Sequence, residues 1–85
     1  MSKLITFPTI FPLKIMGANQ PDFESLVLEI IQKHAGISTE QGVISHPSRG
    51  GKYISLTVHI HATSHEQLDA IYRELSAHER VLMML

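Results

Sequence analysis

The sequence contains no cysteine. That excludes a disulfide scaffold, an iron–sulfur site, a thiolate zinc site and a thiol nucleophile. No apolar run approaches the roughly 18 residues of a membrane-spanning helix. Charge is scarce and nearly balanced: seven Lys and Arg stand against eight Asp and Glu, for a net charge of −1. A nucleic-acid binder driven by global basic charge is therefore excluded. Only 18% of residues are charged while 44% are hydrophobic, which excludes a disordered chain. Eighty-five residues leave room for one small domain.

The first ten residues are apolar but carry Lys3 and Pro8 and show no small-residue cleavage pattern. They do not read as a signal peptide, and the expected compartment is the cytoplasm. Residues 1–10 are expected to form a lead-in, with Ile5, Phe7 and Ile10 lying against a single domain of residues 11–85.

From Phe11 the chain alternates. Phe11, Leu13 and Ile15 point one way and Pro12, Lys14 and Met16 the other, which predicts a strand ended by Gly17. A short loop then leads into a helix, with Asn19 or Gln20 as its N-cap and Pro21 in its first turn. Phe23, Leu26, Val27, Ile30, Ile31 and His34 make one helical stripe. Leu28 falls off that stripe and is expected to be exposed. Gly36 suits the position just past the helix end.

Residues 42–49 have moderate strand character, and Gly50-Gly51 is a hairpin signal. In the following strand Ile54, Leu56, Val58 and Ile60 face a core, while Tyr53, Ser55, Thr57, His59 and His61 face away. A two-residue turn at Gly50-Gly51 pairs Arg49 with Lys52 and puts His46 opposite Ser55. Thr63 with Glu66, or Ser64 with Gln67, makes a capping box, and Leu68, Ile71, Tyr72 and Leu75 supply a second apolar stripe. Residues 81–85 form an apolar run of strand length.

The order strand, helix, strand, strand, helix, strand predicts an α+β fold. Two amphipathic helices need one apolar sheet face, and right-handed crossovers place the first and third strands in the centre. The expected architecture is a ferredoxin-like βαββαβ two-layer sandwich, with a four-stranded antiparallel sheet in the order 4-1-3-2.

Several pieces together resemble the YbeD family of small bacterial proteins. They are Phe7-Pro8 with Phe11, then Lys14-Ile15-Met16-Gly17. Next come Pro47-Ser48, Gly51, Tyr53, Ser55 and Thr57, then Ala62-Thr63 with Glu66-Gln67, Tyr72 and Leu75, and finally Met83-Met84-Leu85. The likeness runs from about residue 7 to the end and is weakest over residues 36–45. It implies a ferredoxin-like fold akin to the ACT regulatory domain and no established reaction. Some family members are labelled lipoate-related regulators.

Six histidines invite a metal reading. His59 and His61 share one strand face, with His46 on a neighbouring strand, but no Asp or Glu nearby completes a ligand set. His34, His65 and His78 read as surface or capping residues. Ser48 and Ser55 lack the strained elbow and positioned acid of a serine hydrolase. Residues 49–56 loosely echo an RNA-recognition strand, yet the stacking aromatics beyond Tyr53 are missing.

The more informative surface is the sheet face that no helix covers. If Val81, Met83 and Leu85 face the core, then Leu82 and Met84 join Met16 and Tyr53 there as a candidate interface. Two places suit a small carboxylate effector. One is the turn Gly17-Ala18-Asn19-Gln20, beside a helix N-terminus; ACT-like domains tend to bind effectors at that turn. The other is Lys14 amid Met16, Leu82 and Met84, which suits a fatty carboxylate. The expectation is a non-enzymatic regulatory or adaptor domain without cofactor. It self-associates or meets a protein partner, and involves no nucleic acid and no membrane.

Overall fold

Alternation on the two central strands sets the architecture. Leu13 and Ile15 on one, and Leu56, Val58 and Ile60 on the other, are fully buried and face the same side. The computed structural model describes residues 5–85. Its elements are β1 (Thr9–Ala18), α1 (Phe23–Gln32), β2 (Val43–Pro47), β3 (Tyr53–Ala62), α2 (His65–Ser76) and β4 (Val81–Met84). The strands form one antiparallel sheet in the order β2-β3-β1-β4. This is the expected ferredoxin-like sandwich. Phe23, Val27, Ile30 and Ile31 of α1 and Leu68, Ile71 and Leu75 of α2 close the core against the sheet. Each of these side chains that is fully buried contributes about 1.5–3 kcal/mol, and Ile30 and Leu68, slightly exposed, somewhat less.

β1 begins two residues before Phe11, because Thr9 and Ile10 continue the ladder opposite Ala62 and His61. Pro12 therefore sits within a central strand. It is tolerated because its partner His59 turns its own N–H and C=O away from β1, to Gly42 and Ser38. On the other side of β1, the pairing with β4 begins at Lys14, beyond Pro12. Phe7, ahead of the strand, packs on the core, and its ring meets His65 edge-on at 4.8 Å.

The helix ends differ from expectation. Asp22, not Asn19 or Gln20, is the N-cap of α1, and its side chain makes no capping bond. Asn19 is drawn elsewhere: its Nδ2 donates to the Gly51 carbonyl at 3.0 Å, tying the β1–α1 turn to the β2–β3 hairpin. Gly36 is not in the left-handed region; its carbonyl accepts from the His61 N–H. Leu28 packs partly against the core. Ser64 caps α2 through the Gln67 N–H, and the Gln67 side chain then bridges Thr63 N–H and the His34 carbonyl across to α1.

Around the hairpin the predicted register holds, with His46 opposite Ser55. The turn itself is longer than two residues. β2 ends at Pro47, Ser48 bonds Tyr53, and the Gly51 N–H donates to the Ser48 carbonyl. Gly50 and Gly51 both take positive φ (85° and 74°), which only glycine adopts without strain.

Candidate functional site

The open sheet face follows from the registers. Across the four strands, Ile44, Thr57 and Lys14 lie in one row, and the Leu85 N–H extends it by donating to the Lys14 carbonyl. The next row is His46, Ser55, Met16 and Met83. Ile44, Met83 and Leu85 are 45%, 51% and 68% exposed, and Ile10 and Tyr53 add exposed apolar area to the same face. A hollow of about 260 Å³ opens at the hairpin end between Met16, His46, Pro47, Tyr53 and Ser55.

The candidate interface set needs one correction. Met84 lies opposite the buried Ile15, packs against the core and accepts a bond from Ser76 Oγ of α2. Met83 takes the place on the open face instead. The cause is a bulge: Met16 pairs with Met83, but Gly17 pairs with Val81, so Leu82 is an extra residue. Val81 and Met84, three apart rather than two, both turn inward, while Leu82 stays exposed beside the β1–α1 turn. The neighbours of Lys14 are accordingly Met16, Thr57 and Leu85, not Leu82 and Met84.

That turn borders a second feature, an open cleft of about 500 Å³ lined by Ala18, Gln20, Asp22, Glu79, Arg80 and Leu82. Of the sequence-stretch candidates 17–20, only Ala18 and Gln20 line it. Asn19 is spent on the hairpin. Gly17 is buried, and a Cβ there would collide with the Phe23 ring and with the Arg80 carbonyl. Its missing side chain makes room for the protein itself, not for a ligand. The cation of the cleft is Arg80, whose guanidinium grips the Asp22 carboxylate through two bonds of 2.7 and 3.3 Å. That bond holds the Asp22 carboxyl below its ordinary pKa and raises that of Arg80. No motif announces Arg80; it matters because β4 folds back beside β1.

The histidines do not gather. Among the described residues no group of three or more His, Asp or Glu has metal-binding geometry. His59 Nδ1 donates to the Gly42 carbonyl at 3.0 Å, and His34 bonds Glu74. Ser48 Oγ accepts the Tyr53 N–H, which is turn chemistry, and Ser55 Oγ faces the His46 carbonyl at 3.5 Å rather than its ring. Among the described residues no helix is long and apolar enough to cross a membrane.

With the geometry in place, comparison with known proteins gives three findings. The family model described as "Protein of unknown function (DUF493)" matches residues 2–85. A UPF0250 protein of Neisseria gonorrhoeae is 44% identical over 84 residues, covering 99% of this chain and 92% of the relative. Another, from Leptothrix cholodnii, is 43% identical over 96% of this chain and 90% of the relative. Among solved structures, the ACT domain of the GTP pyrophosphokinase of Chlorobium tepidum superposes with a TM-score of 0.69 at 15% identity. The match covers 91% of this chain and 97% of that one, and it establishes the fold alone. The chain belongs to the DUF493 family, the YbeD-like proteins expected from its motifs.

Proposed function

We propose that this DUF493 member, with its ACT-like fold, is a non-enzymatic regulatory adaptor of the cytoplasm that works by association through its open sheet face. The observation that carries this reading is the cluster of Met16, Met83 and Leu85 along β1 and β4, with Ile44 of β2 beyond Thr57 and Ser55 of β3, beside the hollow at Tyr53. Exposed apolar side chains scattered singly mean little, but a contiguous patch on one face is a contact surface. Its occupant is either a second copy of the chain or another protein. The test is sedimentation of the protein and of Met83→Asp and Tyr53→Asp across a concentration series. Concentration-dependent assembly that both variants abolish supports the reading as self-association. If the face serves only other proteins, the parent is monomeric and the variants lose partner binding instead. Association that survives both substitutions sinks it.

The Arg80 cleft favours a second element, a small carboxylate effector. Asp22 already occupies the guanidinium, so an effector carboxylate has to displace it. Asp22→Asn should therefore tighten binding, and Arg80→Gln should abolish it. Thermal unfolding against acetate, octanoate, lipoate and amino acids reads this out, since a ligand at one hundred times its Kd adds about 2.7 kcal/mol. No shift for any of these compounds with either the parent or Asp22→Asn would remove the effector from the proposal.

A further inference from the structure

The placement of charge names the chemistry of the partner. All eight acidic residues lie on helices or connectors, and none lies on a strand. The helices and their flanking turns carry seven of them against three cations, Lys33, Arg73 and Arg80. Two of those cations are neutralised within the layer: Lys33 pairs with Glu74, and Arg80 with Asp22. The sheet and its hairpin carry the opposite sign. Lys14 stands in the middle of the open face, Arg49 and Lys52 flank the hairpin glycines, and no acidic side chain accompanies them. None of these three takes part in the ion pairs found among the described residues. Lys52 Nζ lies 5.8 Å from the centre of the Tyr53 ring, which brings that charge to the rim of the apolar hollow.

Such a face is poorly suited to a second copy of itself. A two-fold face-to-face pairing would oppose three cations with three cations and supply no acidic side chain. It is also short of what single-stranded nucleic acid needs, because among the described residues Tyr53 is the one exposed Phe, Tyr or Trp on it, with His46 and His61 as its other exposed rings. What fits is apolar surface bordered by carboxylates.

The backbone narrows the choice further. A sheet face presents side chains, while its N–H and C=O groups point sideways along the ladder. A segment lying on it must satisfy its own backbone hydrogen bonds, which a helix does and an isolated strand does not. Four strands about 4.8 Å apart span about 15 Å, close to three turns of helix.

We infer that the open face docks an acidic amphipathic helix of a partner protein. Its apolar side meets Ile44, Met16, Met83 and Leu85, one apolar side chain enters the hollow beside Tyr53, and carboxylates meet Lys14 and the Arg49–Lys52 hairpin. This rests on the association reading above and specifies its partner.

The test uses the full chain, isotope-labelled, with three probes. The first is a capped peptide of about 18 residues, long enough for an isolated helix, with Leu on one face and Glu on the other. The second carries Lys in place of Glu. The third is an oligouridine of about 12 nucleotides. The Glu peptide should shift the amides of Met16, Ile44, Ser55 and Met83. Its affinity should fall about tenfold in Lys14→Glu, and by a similar factor between about 0.05 and 0.5 M salt. Lys14→Gln, which is isosteric enough to leave an exposed strand position undisturbed, should lie between; unchanged circular dichroism in both variants keeps folding out of the comparison.

Equal or stronger binding of the Lys peptide, shifts confined to the helices, or no binding of the Glu peptide overturns the inference. If oligouridine or a second copy shifts those amides instead, the acidic helix falls while use of this face stands. If Met83→Asp alters no association at all, the broader reading falls with it.

Discussion

Replacing Gly17 by alanine separates a packing role from a ligand role. The new Cβ would sit 2.5 Å from the Arg80 carbonyl oxygen and 2.5 Å from Phe23 Cζ. Carbon contacts settle at about 3.5–4.0 Å, so each neighbour would have to retreat by about 1 Å. Neither has room. Phe23 is fully buried in the core, and the Arg80 carbonyl is backbone, on a segment whose side chain is tied to Asp22. Gly17 does not take positive φ, so alanine brings no backbone strain, and it is a better strand former than glycine. The clash is what remains. Overpacking a core costs about 1–3 kcal/mol, and a backbone obstacle places this case near the upper end. At about 4–8 °C per kcal/mol for a domain of this size, the thermal midpoint should fall by about 10–20 °C. Far-ultraviolet circular dichroism during heating measures it. Phe23→Leu should be destabilising alone but less than additive with Gly17→Ala, because it vacates the space the methyl group needs. An unchanged midpoint in Gly17→Ala would refute the packing argument, and loss of effector binding at unchanged stability would return Gly17 to the ligand site.

Two further predictions concern local features. Glu74 receives Lys33 and His34 from just past the end of α1, and its hydrogen bond to Lys33, then that to His34, hold its carboxyl below the ordinary pKa. A depressed carboxylate contributes stability that is fully present above its unfolded pKa, roughly 4.3, and is lost as pH falls through the folded value. Glu74→Gln should therefore flatten the acid limb of a stability–pH curve, with Asp22 sustaining the residual slope; an identical acid limb in parent and variant would contradict the linkage. Gly50→Ala meets no atom within 4 Å, so its cost is the backbone alone at φ 85°. About 1–2 kcal/mol of destabilisation is expected, less for Gly50→Asn, and equal midpoints for all three proteins would show that the turn relaxes to another form.

Period and punctuation carried most of the fold. Ile54, Leu56, Val58 and Ile60 alternate without a break, and the two glycines at 50 and 51 centre the hairpin, so the pairing of His46 with Ser55 follows from counting alone. The turn's real length did not follow, because lengthening it symmetrically about the glycines leaves the register untouched. Asn19 looked like a helix cap because its partner, the Gly51 carbonyl, is 32 residues away and invisible to local rules. The facing of Val81, Leu82, Met83 and Met84 was illegible for a different reason. Every one is apolar, so the residues offer no alternation to read, and the bulge that decides the matter lies in the pairing with Met16 and Gly17.

Net charge was the more consequential blind spot. A value of −1 averages two layers of opposite sign and, taken as a single number, argues against any electrostatically driven partner. The domain measures 38 × 28 × 26 Å, several times the Debye length of about 8 Å at physiological ionic strength. A charged group approaching the sheet is therefore screened from the carboxylates on the far side of the helices and responds to Lys14, Arg49 and Lys52. The segregation is visible once the acidic residues are placed on elements rather than summed, since no predicted strand contains one. Charge per face, not charge per chain, decides which partners an open sheet of this size can attract. On that measure the apolar side chains around Met16 and Met83 form the centre of a contact whose rim calls for carboxylates.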